Sequence, residues 1–136
     1  MFEAKGIDFA SLKPDEADPF TQASSDGRGF AVSGGVAKAV VNCIKAKEPE
    51  REVLVESAEG LANCKKMLKL AKSGKYDGYL LEGMACPGGC VAGAGTLLPI
   101  TRATTAVKKY TNSSDKLNAN DSKYKDYLER LIEEYK

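Results

Sequence analysis

Leu81-Glu82-Gly83-Met84-Ala85-Cys86-Pro87-Gly88-Gly89-Cys90-Val91-Ala92-Gly93-Ala94-Gly95-Thr96 holds two of the chain's four cysteines and five of its thirteen glycines. It continues from Tyr79, Leu80 and Leu81, an apolar run that reads as the end of a buried strand. A strand that stops at a thiol and passes into a glycine-rich turn lets backbone N–H groups approach whatever the sulfurs hold, because glycine has no Cβ in the way. Cys86 and Cys90 flank Pro87, Gly88 and Gly89, a segment that fits neither strand nor helix interior. Thiolates are stabilised near N–H donors at a helix start and there become ligands or nucleophiles. The stretch suits a bound anion or a metal–sulfur cluster. Two buried thiols that bracket a turn are the structural alternative.

Working outward, the pattern is that of an α/β protein. Gly29 to Val32 reads as a strand, Ser33, Gly34 and Gly35 as a tight turn, and Val36 to Lys47 as a helix with Val36, Val40, Cys43 and Ile44 on one face. Val53, Leu54 and Val55 read as a second strand, and about Gly60 to Lys72 as a helix with Leu61, Cys64, Leu68 and Ala71 inward. Asp77 to Leu81 makes a third strand, so the cysteine stretch sits at a carboxyl end, where parallel sheets bind ligands. Pro99 suits the first turn of a helix with Ile100, Ala103, Val107 and Tyr110 on its apolar face. Residues 1–27 read as an extended arm pinned by Phe9, Leu12 and Phe20, with Pro14 and Pro19 excluding helix. The α/β lobe spans 28–110 with the ligand loop at 82–96, 111–120 is a linker, and 121–136 is a final helix. That helix is capped by Asp121 or Ser122 and turns Tyr124, Leu128, Leu131 and Tyr135 inward. The expected architecture is three layers, with a small, mostly parallel sheet of at least three strands flanked by helices.

Composition removes whole classes of chemistry. The chain has no histidine, which excludes His-based acid–base catalysis, Ser/His/Asp triads and every zinc motif that uses His. Twenty basic residues against nineteen acidic leave a net charge of +1, so no global field favours nucleic acid or an acidic membrane. No apolar run approaches the roughly 20 residues of a membrane span, and Met1 to Lys5 lacks a signal-peptide core. A soluble, cytoplasmic protein is expected. Four cysteines in that setting read as free thiols, core residues or ligands rather than a disulfide framework. Cys43 and Cys64 lie on apolar helical faces and read as buried, inert thiols. A zinc site built from all four cysteines would pull those two out of their faces.

The string Glu82-Gly83-Met84-Ala85-Cys86-Pro87-Gly88-Gly89-Cys90 resembles the third cluster-binding motif of the FeFe hydrogenases, whose Met-Ala-Cys-Pro-Gly-Gly-Cys core follows a strand and precedes a glycine-rich loop. Gly29-Phe30-Ala31-Val32-Ser33-Gly34-Gly35-Val36 resembles another family segment, and Ile7 to Phe20 the stretch before it. The likeness covers about residues 7 to 107, with an echo in the final helix.

The resemblance implies the C-terminal lobe of the H-cluster domain, which is the C-terminal domain of the hydrogenase large subunit. Cys86 would ligate one iron of a four-iron cubane, and Cys90 another while bridging to a di-iron subcluster. Gly88 and Gly89 shape that loop, and Met84, Phe30 and Val36 line an apolar pocket around the di-iron unit. Thiolates are the usual ligands of such clusters. The family's other two motifs, with the remaining cubane cysteines, a relay cysteine and a lysine, are absent. Gly93-Ala94-Gly95-Thr96-Leu97 replaces the usual Gly-Gly-Gly-Gln-Pro, and Lys38 stands where catalytic members tend to carry glutamate. These differences imply a C-terminal fragment of a divergent, sensory-type member. It would have a missing N-terminal lobe or subunit as partner, an electron carrier such as ferredoxin in the parent, and no cluster or activity in isolation. Two other functions follow from the residues alone: a thiol redox module using Cys86 and Cys90, and a phosphate site at Ser33, Gly34 and Gly35 on a helix N-terminus.

Overall fold

In chain order the protein forms α1 (Ser25–Arg28), α2 (Gly35–Lys47), β1 (Val55–Glu59), α3 (Leu61–Lys72), β2 (Leu80–Met84), α4 (Ile100–Asn112) and α5 (Lys125–Glu134). Single 3-10 turns lie at Glu3–Lys5, Phe9–Ser11, Gly29–Ala31, Cys90–Ala92 and Ala119–Asp121. The computed structural model describes residues 1–11, 13, 23–122 and 124–135. The anchors read at Leu12 and Phe20 and the prolines Pro14 and Pro19 lie outside the described residues, as do the side chains of Phe9 and Leu128.

β1 and β2 pair in parallel, Val55 opposite Leu80 and Glu59 opposite Met84. Strands that point the same way cannot be joined by a hairpin, so α3 serves as the crossover. α3 covers one face of the sheet. There Gly83 lets it close in, since an added Cβ would stand 3.3 Å from Cys64 Sγ and 3.9 Å from Met67 Cε. α2 covers the other face, held there by Glu82. The outcome is a three-layer α/β fold with a small parallel sheet between helices.

α1 ties α2 to α4 through polar groups. Ser24 Oγ caps α1 by accepting from Gly27 N at 3.1 Å. Buried Asp26 accepts from Asn42 Nδ2 of α2 at 2.9 and 3.0 Å. The Arg28 guanidinium donates to Tyr110 O (3.1 Å) and Ser113 Oγ (2.9 Å) at the end of α4 and stacks 4.3 Å above the Tyr110 ring. Farther on, the Asp121 carboxylate accepts from Asn118 N at 3.1 Å and Leu117 N at 2.8 Å, and these bonds lower its pKa below the ordinary carboxylate value.

Several expectations are corrected. Gly29 to Val32 is no strand but the 3-10 turn that follows α1, because the capped helix and the Arg28 contacts curl the chain there. The sheet has two strands among the described residues, not three or more. Both strands sit later than read: the ladder begins at Val55 and at Leu80, so Glu82 and Met84 belong to a strand. On α2 the buried residues are Ala37 and Ala39, not the larger Val40, which is exposed, because small side chains let the helix approach its neighbours. On α3, Met67 is the buried residue while Leu61 and Leu68 are 73% and 59% exposed. Ile100 and Tyr110 of α4 are about half exposed and Ala103 is its buried residue. α4 runs to Asn112, and α5 starts only at Lys125, with Tyr124 and Tyr135 exposed rather than inward.

α2 packs against the 3-10 turn at a point only glycine permits. A Cβ on Gly35 would overlap the carbonyl of Gly29. Gly35→Ala should therefore cost about 3 kcal/mol, although alanine alone favours a helix by about 1 kcal/mol. A urea midpoint equal to or above that of the wild type would show that this contact does not form.

Candidate functional site

The site is assembled where β2 ends. Strand residue Glu82 is buried, and its carboxylate accepts from Gly34 N (2.5 Å), Val36 N (3.1 Å) and Ala37 N (3.0 Å) at the start of α2. α2 has no side-chain cap from its own sequence, because the residue in that place is Gly34 with φ +84°. A strand carboxylate thus does what an N-cap residue does in most helices, and its negative charge meets the positive end of the helix dipole. The remaining donors of that turn are also engaged: Gly35 N with Val32 O, and Ser33 N with Gly88 O.

That last bond joins the turn to the cysteine loop. Gly88 also donates its N–H to Glu59 Oε2, at 2.8 Å, from the end of β1. Gly88 and Gly89 take φ of +96° and +91°, where side-chain-bearing residues are strained. At Gly89 an added Cβ would also stand 2.6 Å from Ser33 N and 2.8 Å from Ala31 O. The loop is pressed onto the 31–33 turn. Gly89 N bonds back to Cys86 O, and Gly93 N to Cys90 O, so the Cys90–Ala92 turn closes with Val91 buried beneath it. Cys86 is half-buried and Cys90 exposed. Gly93 keeps space in front of the first thiol, since a Cβ there would stand 3.9 Å from Cys86 Sγ.

These contacts reassign several site residues. The N–H groups of Gly88 and Gly89 are spent inside the protein, so the two glycines act through backbone conformation and close approach. The phosphate site read at Ser33, Gly34 and Gly35 has no donor left, because Glu82 occupies the helix start. Val36 and Met84 come together on one groove of about 350 Å³ between α2 and β2. Phe30 is on a different groove of about 320 Å³, with Val40, Cys43, Ile44 and Ala119. Cys43 and Cys64 are only half-buried, against the reading of both as buried. Cys64 Sγ points at the carbonyls of Ala58 (3.5 Å) and Met84 (3.6 Å). Among the described residues no group of three or more His, Cys, Asp or Glu side chains is placed to hold a metal, so the zinc site from four cysteines does not form.

Sequence reading missed Glu82 as a cap and Glu59 as an anchor. The signal for Glu82 was a lone acid inside an apolar strand, together with a helix that begins after glycine. Glu82→Ala leaves three N–H groups without their acceptor and should cost about 3 kcal/mol in thermal unfolding, with Glu82→Gln, which keeps an oxygen, costing less. Equal stability of Glu82→Ala and wild type would show that α2 does not depend on this cap.

A family profile described as iron only hydrogenase large subunit, C-terminal domain, matches residues 1–94. The chain is 30% identical over 122 residues to the periplasmic Fe hydrogenase large subunit of Nitratidesulfovibrio vulgaris, an alignment that covers 70% of this chain and 29% of that protein. It is 29% identical over 122 residues to the NADP-reducing hydrogenase subunit HndD of Solidesulfovibrio fructosivorans, covering 70% of this chain and 21% of that protein. The chain thus spans less than a third of the length of either relative.

Exposure orders the four thiols. A neutral thiol reagent should label Cys90 first, with Cys86, Cys64 and Cys43 slower but reached in the native state, as followed by mass spectrometry. Labelling of Cys64 ahead of Cys90 would contradict the placement of the loop.

Proposed function

The chain belongs to the family of C-terminal domains from iron only hydrogenase large subunits, and from that premise we propose that it supplies Cys86 and Cys90 as thiolate ligands to the H-cluster of an assembled large subunit. The observation that carries this reading is the anchored loop. Its backbone is fixed at Gly88 from two sides, by Glu59 and by Ser33, while Cys90 stands open to solvent.

The donor set fits half of such a site. A cubane takes four thiolate or equivalent ligands, and this loop offers two soft sulfur donors on a backbone that needs no metal to hold its shape. The other ligands would come from the missing N-terminal lobe or subunit. When bound, the cluster would supply electron transfer and the interconversion of protons and hydrogen, with a ferredoxin-type carrier as electron partner. The protein's own part is positional. Pro87, Gly88 and Gly89 set the separation of the thiols, Gly93 keeps Cys86 accessible, and Val91 seals the loop from below. Met84 and Val36 would present apolar surface to the site from the groove they share. Lys38, exposed on the first turns of α2, places a cation where catalytic members of the family tend to carry an acid, which favours a sensory role over high turnover.

The chain alone should carry no cluster and no hydrogenase activity. Joined to or co-expressed with the polypeptide that supplies the remaining ligands, and matured, it should retain iron that Cys86→Ala and Cys90→Ala each lose. Iron analysis decides: a full complement in both variants would overturn the assignment.

A further inference from the structure

The sheet stops one strand early, and it stops beside a groove. Leu80 N donates to Leu54 O at 2.9 Å and Gly60 N to Met84 O at 2.8 Å, so Leu80, Glu82 and Met84 turn their backbone groups toward β1. In a parallel ladder the residues between them must turn the other way. The N–H and C=O groups of Leu81 and Gly83 therefore point out of the sheet, and no partner for them exists among the described residues. Along the same edge runs the groove of about 350 Å³, lined by all of Leu80 to Met84 and by Val36, Ala37 and Val40 of α2. Its wall is apolar, its length is that of the strand, and one side is a row of unused hydrogen-bonding groups.

The outer edge of β1 is different. Glu56, Ser57 and Glu59 make that strand polar, the usual protection of an edge meant to stay exposed. The edge of β2 carries no such guard beyond Glu82, whose carboxylate is committed to α2. A lone pair of strands is marginal, and a third strand is the ordinary way to stabilise it.

We infer that the free edge of β2 is a slot for a third, parallel strand of about five residues, apolar toward α2, supplied by the polypeptide that completes the large subunit. The inference rests on the large-subunit reading and adds how the two parts meet. Two observations select this occupant. The chain spans only 29% and 21% of its relatives' lengths, so most of a large subunit lies outside it. The slot also ends at Met84, two residues before Cys86. A strand parallel to β2 would finish beside the cysteine loop and deliver whatever follows it to the same carboxyl end of the sheet, where further cluster ligands are needed.

Hydrogen exchange resolved to single amides tests this in two states: the chain alone, and the assembled large subunit in which the chain is joined to or co-expressed with the polypeptide carrying the remaining ligands. Alone, the Leu81 and Gly83 amides should exchange ~100-fold faster than those of Glu82 and Met84. On assembly they should slow by ~100-fold. Val40→Asp puts a carboxylate in the slot at a position already exposed and should abolish that slowing. Leu81→Pro removes an N–H that points into the slot and should do the same, which guards against misfolding of either variant. Amides that stay fast in the assembly would overturn the inference. So would protection in the chain alone that rises with its concentration, which would make a second copy the occupant. Iron measured on the same samples separates the two proposals: protection without iron leaves the slot standing and the ligand assignment fallen, and iron without protection does the reverse.

Discussion

The carboxylate of Glu82 is the interaction on which the architecture turns. A helix start leaves N–H groups without partners, and buried ones are costly. α2 begins after two glycines, with no side chain of its own to satisfy them. Glu82 reaches across from β2 and accepts from three of them at once. That geometry requires α2 to lie with its start against the end of the strand, which fixes one layer of the fold. It also leaves the Ser33 N–H pointing at the cysteine loop, where Gly88 O accepts it. The same acid therefore secures a helix and, through the turn before that helix, the loop that holds the thiols.

How far the sequence was legible depends on whether a residue's role is set locally or by something distant. α2, α3 and α4 were readable because their periodicity, the glycines at Gly34 and Gly60 and the prolines at Pro49 and Pro99 are local signals. The helix at α3 was clear, but not its face. Leu61, Cys64, Leu68 and Ala71 match the period as well as Cys64, Met67 and Ala71 do, and the choice was made by Gly83, which opens room for Cys64 and Met67. Gly29 to Val32 failed for a related reason. A run of four residues cannot distinguish strand from turn, and the deciding contacts come from Arg28 to α4, more than eighty residues away. In the site, the cysteines and glycines could be read from their spacing. Glu82 and Glu59 could not, since each acts on a segment distant in sequence.

The buried apolar set among the described residues consists of small or single side chains, Ala37, Ala39, Met67, Val91 and Ala103. Larger ones such as Leu97, Leu61, Leu117 and Ile132 are well exposed. A domain that met all its packing needs internally would reverse that distribution. Here the polar network of Asp26, Asn42, Arg28 and Glu82 does much of the work of orienting helices, and the apolar surface is left facing outward. Polar contacts have narrow geometric tolerance, so they give a definite arrangement even where hydrophobic burial is modest. This accounts for a specific fold in a chain with a thin core and open sheet edges.

The consequence for ligand binding concerns what assembly must still accomplish. Ordering a loop of several residues costs free energy that a flexible binding segment must meet when its ligand arrives. In this chain that cost falls within folding. Gly88 is held through both its N–H and its C=O, Gly89 is pressed on the 31–33 turn, and Val91 is buried under the thiols. What the loop lacks is ligand number, not order. Two sulfurs on a fixed backbone bind weakly on their own, but they offer a prepared half-site to any partner that brings the rest. Affinity for a cluster would then rise with docking of that partner rather than with any rearrangement of Cys86 and Cys90, which ties ligation to assembly through geometry already present in the strand that carries Glu82.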